Sequence, residues 1–354
     1  MTAYIIRRLL VLPVILLGVS LVIFAMLQLL GPVERSALYV QRIPFQEGAI
    51  DAVIRRYGLD DPFFVQYWHW MVGREDPVTG ETVGGILRGD FGYSRTGREP
   101  VIDLLKRRFP ATLELALWSF VPIIGVGIWL GVQSALHHNK PIDQASRVLA
   151  ILGWSMPTFV FALLVLLIFY AQLGWFPPGR LSTTFSQVVQ RPGFTQYTHM
   201  HTLDALLNLR FDIFLDALRH LVLPVTTLAV VQIALLLKVT RSSMLEALRQ
   251  DYVTTARAKG LRERVVINRH VRKNALIPVV TIAGATIAGL LNGVIITEVV
   301  FNFPGLGSAA AAAALSLDAL TMLGFALFNA VLFVGANLVV DVLYGILDPR
   351  VRLE

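Results

Sequence analysis

The side chains that could do chemistry in this 354-residue chain are few and widely spaced. His199-x-His201 has the donor types of a metal site, but it lies on a polar stretch with Asp204 as its one nearby carboxylate, and it reads as loop. Asp318 and Asp341 stand at opposite ends of the last apolar stretch, roughly 34 Å apart on a helix, too far to share a proton. Glu114 and Glu298 fall at the ends of two other apolar stretches, where snorkelling and helix capping account for them. His137 and His138 form the polar cap of a short loop. No G-x-x-x-x-G-K-[ST] cradles a phosphate, and neither H-E-x-x-H nor G-x-S-x-G occurs. Without cysteine there is no thiolate nucleophile, Cys-ligated zinc or iron–sulfur cluster. An intramembrane enzyme is therefore disfavoured, and any ATP-driven work must draw on another chain.

The densest basic stretch offers contact instead of catalysis. Residues 241–278, RSSMLEALRQDYVTTARAKGLRERVVINRHVRKNALIP, read as two short helices joined at Gly260. Met244, Leu248, Tyr252 and Ala256 recur every four residues, which places them on one face of the first helix. The second carries Val265, Val266 and Arg269. Basic charge alone would hold such a loop near anionic lipid. The small residues of TTARAKG (254–260) suggest more, a thin helix end that enters a groove on another protein.

The elements that must position this knob are membrane spans. With 55% hydrophobic and 16% charged residues, the composition is that of a polytopic membrane protein, and a net charge of +7 need not imply nucleic acid. Six stretches are long enough to cross a bilayer: 9–30, 111–136, 148–173, 221–238, 275–297 and 319–340. The first exceeds a signal-peptide core and lacks an A-x-A-like site, so it is expected to remain as a span. Pro122, Pro157 and Pro224 are tolerable kinks within a bundle. With both termini cytoplasmic, the short inside segments, counting Lys238 at the end of the fourth span, hold 16 of the 31 Lys and Arg, in keeping with the positive-inside rule.

Between the spans, the aromatic run FFVQYWHW (63–70) could grip a sugar or peptide, but an interfacial belt is favoured. FDIFLDALRH (211–220) reads as an amphipathic surface helix ahead of the fourth span. Ala309–Ala314 predicts a short, closely packed helix, and Gly127-x-x-x-Gly131 and Gly289-x-x-x-Gly293 predict close helix contacts.

DYVTTARAKGL (251–261) with RHVRKNALIPVVT (269–281) resembles the cytoplasmic EAA loop of ABC-importer permeases. GDFGYS (89–94), EVVFNFPGLG (298–307), DVLYGILDPRVR (341–352) and the N-terminal YIIRRLLVLPVILLGVS are similar to the oligopeptide/dipeptide branch, so the resemblance covers nearly the whole chain. It departs at Thr254-Thr255, where the general motif has Glu-Ala, and at GPVERSA (31–37). The resemblance implies an all-α fold of six transmembrane helices, type I ABC importer permease-like. It divides into an N-terminal helix (1–30), an extracytoplasmic loop region (31–110), a five-helix core (111–345) carrying the coupling loop 239–275, and a cytoplasmic tail (346–354). It implies a second homologous permease subunit, two ABC ATPase subunits that carry the ATP and magnesium, an extracytoplasmic binding protein that delivers di- or oligopeptides, and residence in a bacterial or archaeal cytoplasmic membrane. No cofactor is expected on this chain. Asp251, Tyr252, Ala256, Arg257, Ala258, Lys259 and Gly260 would contact the ATPase, and Asn292 would line the path or bond a neighbouring helix. The same architecture importing nickel, an oligosaccharide or a glutathione-like cargo, and an ATP-independent channel, stay open as alternatives.

Overall fold

The computed structural model describes residues 2–39, 48–75, 80, 82–291 and 294–347. Within them, four helices contain windows long and apolar enough to cross a membrane: Leu9–Leu27, Val101–Leu136, Phe211–Leu248 and Ala319–Val340. Two further candidates are bent pairs, Pro141–Ser155 with Thr158–Gln172 at 103°, and Glu263–Ala275 with Ile277–Leu291 at 50°. Asn292 and Gly293 lie outside the described residues, as does the tail from residue 348.

The bent pairs fall on two of the six expected spans, the first broken within its length and the second bent at its start. Residues 148–173 do not form one straight helix. Pro157 disfavours the α conformation at Met156, which sits at φ −85° and ψ 125°, and the chain turns sharply there. In the fifth stretch Pro278 occupies the first turn of Ile277–Leu291, where its missing N–H costs nothing. Pro122 and Pro224, by contrast, sit inside unbroken helices.

The expected amphipathic helix at 211–220 has no boundary with the span after it. Phe211–Leu248 is one helix of 38 residues, about 57 Å long. Its first turns are not superficial: Ile213 and Ala217 are buried against Leu181, Val189 and Ala205 of the preceding loop. With no Gly or Pro between Phe211 and Leu223, nothing in the sequence stops the helix.

This helix and Val101–Leu136 form the central pair. Leu115 and Ile123 interlock with Leu221, Leu228 and Leu236, and Val279 and Leu290 of the fifth stretch close the cluster. Close approach depends on two glycines. A Cβ on Gly127 would lie 3.0 Å from Leu236, and one on Gly131 only 2.5 Å from the Thr240 Cβ. In lipid, where apolar surface alone does not drive helices together, such small-residue contacts carry the association. Gly289, the counterpart expected in the fifth stretch, meets nothing within 4 Å.

At the end remote from the basic segment, buried carboxylates tie the loops to the bundle. Glu298 is fully buried. Its Oε1 accepts from Thr112 Oγ1 (2.8 Å) and its Oε2 from the Ser308 N–H (2.8 Å). Thr112 Oγ1 in turn accepts the Leu306 N–H at 2.8 Å. The carboxylate thus caps Leu306–Leu315, the short alanine-rich helix, and Gly305 leaves room for it, since a Cβ there would meet the carboxylate at 2.5 Å. Glu114 accepts from the N–H and Oγ1 of Thr202 (2.7 and 2.8 Å) and pairs with Arg180 at 2.7 Å. Snorkelling is therefore wrong for both glutamates: they point inward and are satisfied by protein. Asp318 plays a similar part, accepting from the Thr96 N–H (2.9 Å) and Thr321 Oγ1 (2.7 Å).

The aromatic run forms the helix Phe63–Val72. Its Phe63, Tyr67 and Trp70 rings pack on Phe24 of the first helix at 5.2–5.5 Å, while Phe64 and Trp68 are exposed.

Replacing the Glu298 side chain strands a helix N-terminus and a buried hydroxyl. Glu298→Ala should cost on the order of 2–4 kcal/mol and lower the thermal unfolding midpoint of the detergent-purified chain. A midpoint equal to that of the parent would remove the capping role.

Candidate functional site: the basic segment 251–275

The segment begins where the long helix stops. Leu248 is the last residue of Phe211–Leu248, and Gln250 is extended at φ −75° and ψ 149° before Asp251–Ala258 starts. This break resets the helical phase, which corrects the expected four-residue stripe. Met244 is buried, but Tyr252 is 38% exposed and points elsewhere.

Asp251–Ala258 is held by two residues. Val253 and Ala256, three apart on one face, are buried against Val132 and Ala135 of the central pair and Met244 and Ala247. Every other residue from Asp251 to Val265 is exposed. Ala256 therefore packs inward, away from the surface that Asp251, Tyr252, Arg257, Ala258, Lys259 and Gly260 share. Val253, which was not singled out from the sequence, is the deeper anchor; its place three residues before Ala256 was the available signal.

The helix ends in a Schellman turn. The Gly260 N–H donates to the Arg257 carbonyl (2.9 Å) and the Leu261 N–H to the Ala256 carbonyl (3.4 Å), with Gly260 at φ 74°. A Cβ at Gly260 would touch nothing within 4 Å, so the requirement there is conformational. Across the turn Arg257 clasps Glu263 through two of its three nitrogens, Nε to Oε2 at 3.2 Å and Nη2 to Oε1 at 2.7 Å. The guanidinium lowers the Glu263 pKa from its ordinary value. The clasp is present above the ordinary glutamate range and is lost as pH falls through the lowered value. Both groups are half-exposed, so it is worth under about 1 kcal/mol.

The second arm runs from Glu263 to Ala275 and is wound more widely from Val266 to Val271. The wider turn brings Val266 and Val271, five residues apart, onto one fully buried face. Val265 is exposed, so only one of the two adjacent valines anchors the arm.

Just before the segment, a buried carboxylate ties the end of the long helix Phe211–Leu248 to the rest of the bundle. Asp143 is fully buried and accepts from Arg241 Nε (2.6 Å) and Nη2 (2.9 Å), from Ser134 Oγ (2.5 Å) and from the Asn139 N–H (2.9 Å). Arg241 also meets His138 Nδ1 at 3.1 Å, so the histidine caps more than solvent. Asp143 was not anticipated; the signal was a single acid in a loop of histidines and cations.

The other candidate sites are elsewhere. His199 Nδ1 lies 2.9 Å from Gln196 Oε1, and burial, reinforced by the Arg180 charge, lowers the His201 pKa to about 3. Among the described residues no three His, Asp or Glu side chains gather as metal ligands.

Residues 123–353 match the model of the family described as binding-protein-dependent transport system inner membrane component. Residues 1–116 match the model of the corresponding N-terminal part. The chain belongs to this family. It is a membrane permease subunit with the type I ABC importer fold. The oligopeptide transport permease AppB of Bacillus subtilis is 35% identical over 99% of this chain and 100% of its own length. The di/tripeptide permease DppB of Pseudomonas aeruginosa is 37% identical over 99% of each chain. The probable D,D-dipeptide permease DdpB of Escherichia coli K12 is 38% identical over 86% of this chain and 85% of its own. In this permease residues 251–262 are exposed apart from Val253 and Ala256.

Valine at the Gly260 φ would cost about 1–3 kcal/mol. Gly260→Val should open the turn, so that trypsin cuts the purified chain after Arg257, Lys259 and Arg262 several-fold faster than the parent. Gly260→Asn, which tolerates that φ, should stay near the parent rate. Equal rates for the two variants would show that the turn does not depend on the left-handed residue.

Proposed function

We propose that this permease forms one half of the translocation path of a peptide importer in the cytoplasmic membrane of a bacterium or archaeon. A second homologous permease supplies the other half. Two separate ATPases bind and hydrolyse ATP with magnesium, and an extracytoplasmic binding protein delivers di- or oligopeptides. The observation that carries the reading is the 251–262 segment, anchored by Val253 and Ala256 alone and presenting its whole outer face. The peptide cargo is supported by the names of these similar permeases, given for oligopeptides, di- and tripeptides, and D,D-dipeptides.

In this reading Asp251, Tyr252, Arg257, Ala258, Lys259 and Gly260 seat in a groove on the ATPase, with Ala256 setting the depth of the helix from behind. Closure of the ATPase pair moves the seated segment. Arg257–Glu263 keeps its two arms together, and Asp143–Arg241 passes the displacement to Pro141–Ser155. The central pair then rocks as a body, opening the path alternately to each side. Having no phosphate-binding loop, the chain contributes no catalysis to the cycle.

A single cysteine placed by Ala258→Cys should crosslink to a co-expressed ATPase bearing a cysteine in its docking groove, and peptide should stimulate hydrolysis by the assembled complex. Labelling of that cysteine by an impermeant reagent added outside intact cells would overturn the arrangement. Stimulation by a sugar or a metal ion, with none by peptides, would overturn the cargo.

A further inference from the structure

A cavity of about 380 Å³ lies at the other end of the molecule, among the first helix, the Phe63–Val72 helix, the hairpin strands and the start of the last span. Its size is that of a small-ligand site, which spans roughly 300–1,000 Å³. Neither the coupling segment nor the central pair uses it.

One wall carries an uncompensated charge. Arg35 is only 5% exposed, so a cation has been taken out of water. Its Nη1 donates to Gln66 Oε1 (2.5 Å) and its Nη2 to the Leu59 carbonyl (2.9 Å), both neutral acceptors. Its Nε is buried with no acceptor, and it pairs with no carboxylate among the described residues. Burying a charge is costly unless an opposite charge meets it. Gln66 cannot turn away to help, since its own amide donates to the Leu59 and Asp61 carbonyls. On the same lining His69 Nδ1 is a second buried polar atom without a partner. Glu75 and Asp90 also line the cavity, but neither pairs with Arg35, and Arg74 is matched by Asp61 at 3.3 Å.

Most of the remaining lining, Arg56 among it, comes from the loop region 31–110, but one apolar wall belongs to membrane spans. Phe24 and Leu27 are the last buried residues of the first helix, and Leu320 stands in the first turn of the last one. Basic donors beside an apolar wall at the ends of two spans match an oxyanion carried on a hydrocarbon body.

We propose that this cavity binds the phosphate of an anionic phospholipid, with Arg35 as its counter-ion, His69 as a second donor, and the glycerol and upper acyl chain against Phe24, Leu27 and Leu320. A bidentate guanidinium–phosphate pair supplies the charge that Arg35 lacks. The lipid would pin the loop region to the ends of the first and last spans.

The test uses the full chain, delipidated in a neutral detergent and titrated with dioleoyl phosphatidylglycerol, dioleoyl phosphatidylcholine or inorganic phosphate while thermal unfolding is followed. Phosphatidylglycerol should raise the midpoint saturably, and phosphatidylcholine should not. Arg35→Gln should weaken the phosphatidylglycerol response on the order of tenfold, and Arg35→Lys should lose less. Equal responses to the two lipids, or an Arg35→Gln variant that responds like the parent, would overturn the proposal. Inorganic phosphate reproducing the whole effect would overturn the lipid as its source. If Arg35→Gln cannot be purified, native mass spectrometry of the parent decides: phosphatidylglycerol should stay bound at collision energies that strip phosphatidylcholine, and equal retention refutes the site.

Discussion

The contact of Gly131 with Thr240, and of Gly127 with Leu236, is the constraint on which the other features rest. Two helices in lipid gain little by burying leucines against each other, since lipid tails bury them equally well. They gain by coming close enough for dense packing, and only a missing Cβ allows that here. The closeness also sets up what lies beyond the glycines at each end. Three residues past Gly131, Ser134 reaches Asp143, and one residue past Thr240, Arg241 reaches the same carboxylate. At the opposite end the same helix brings Thr112 and Glu114 to the loops that they tie down.

The two ends use buried charge differently. At the loop end Glu298 and Asp318 are satisfied largely by hydroxyls and backbone N–H groups, and Glu114 pairs with Arg180 of a loop, so these carboxylates fix loop geometry. Asp143 is satisfied by a guanidinium on a separate long helix, so moving one partner must move the other or expose a buried charge. Such a pair transmits displacement better than apolar contact can, because sliding leucines past each other costs little and separating these groups costs several kcal/mol. It stands where the long helix gives way to the basic segment.

Much of this was legible in the sequence, and what was not had a common cause. The four straight spans follow from apolar length, the alanine-rich helix from composition, and the turn at Gly260 from a residue free to take positive φ. The 103° turn at Met156-Pro157 was not, because Pro122 and Pro224 occupy unbroken helices and the sequence alone does not distinguish the three. Glu114 and Glu298 looked like surface groups because their partners, Thr202, Arg180, Thr112 and Ser308, are up to 186 residues away. Asp143 was missed for the same reason. Periodicity reads one helix at a time. It therefore carried Met244 and Tyr252 across a break at Gln250 that only an extended backbone reveals.

The segment 251–260 changes meaning in that light. Its small residues divide between two tasks: Ala256 lies close against Val132 and Ala135, and Ala258 keeps the outer face low. A larger residue at 256 would lift the helix off its support, while one at 258 would leave the support intact and alter only what the face can enter. Eight residues held by two small apolar side chains bury too little to be rigid alone, since full burial of a valine contributes only about 1.5–3 kcal/mol. The segment gains its fixed position from the Schellman turn and the Arg257–Glu263 clasp, both of which join it to the next arm and neither of which holds it to the bundle. The first arm is thus lightly seated by itself and tied to a second arm that Val266 and Val271 anchor in the bundle, so a partner that grips the outer face moves both arms as one piece.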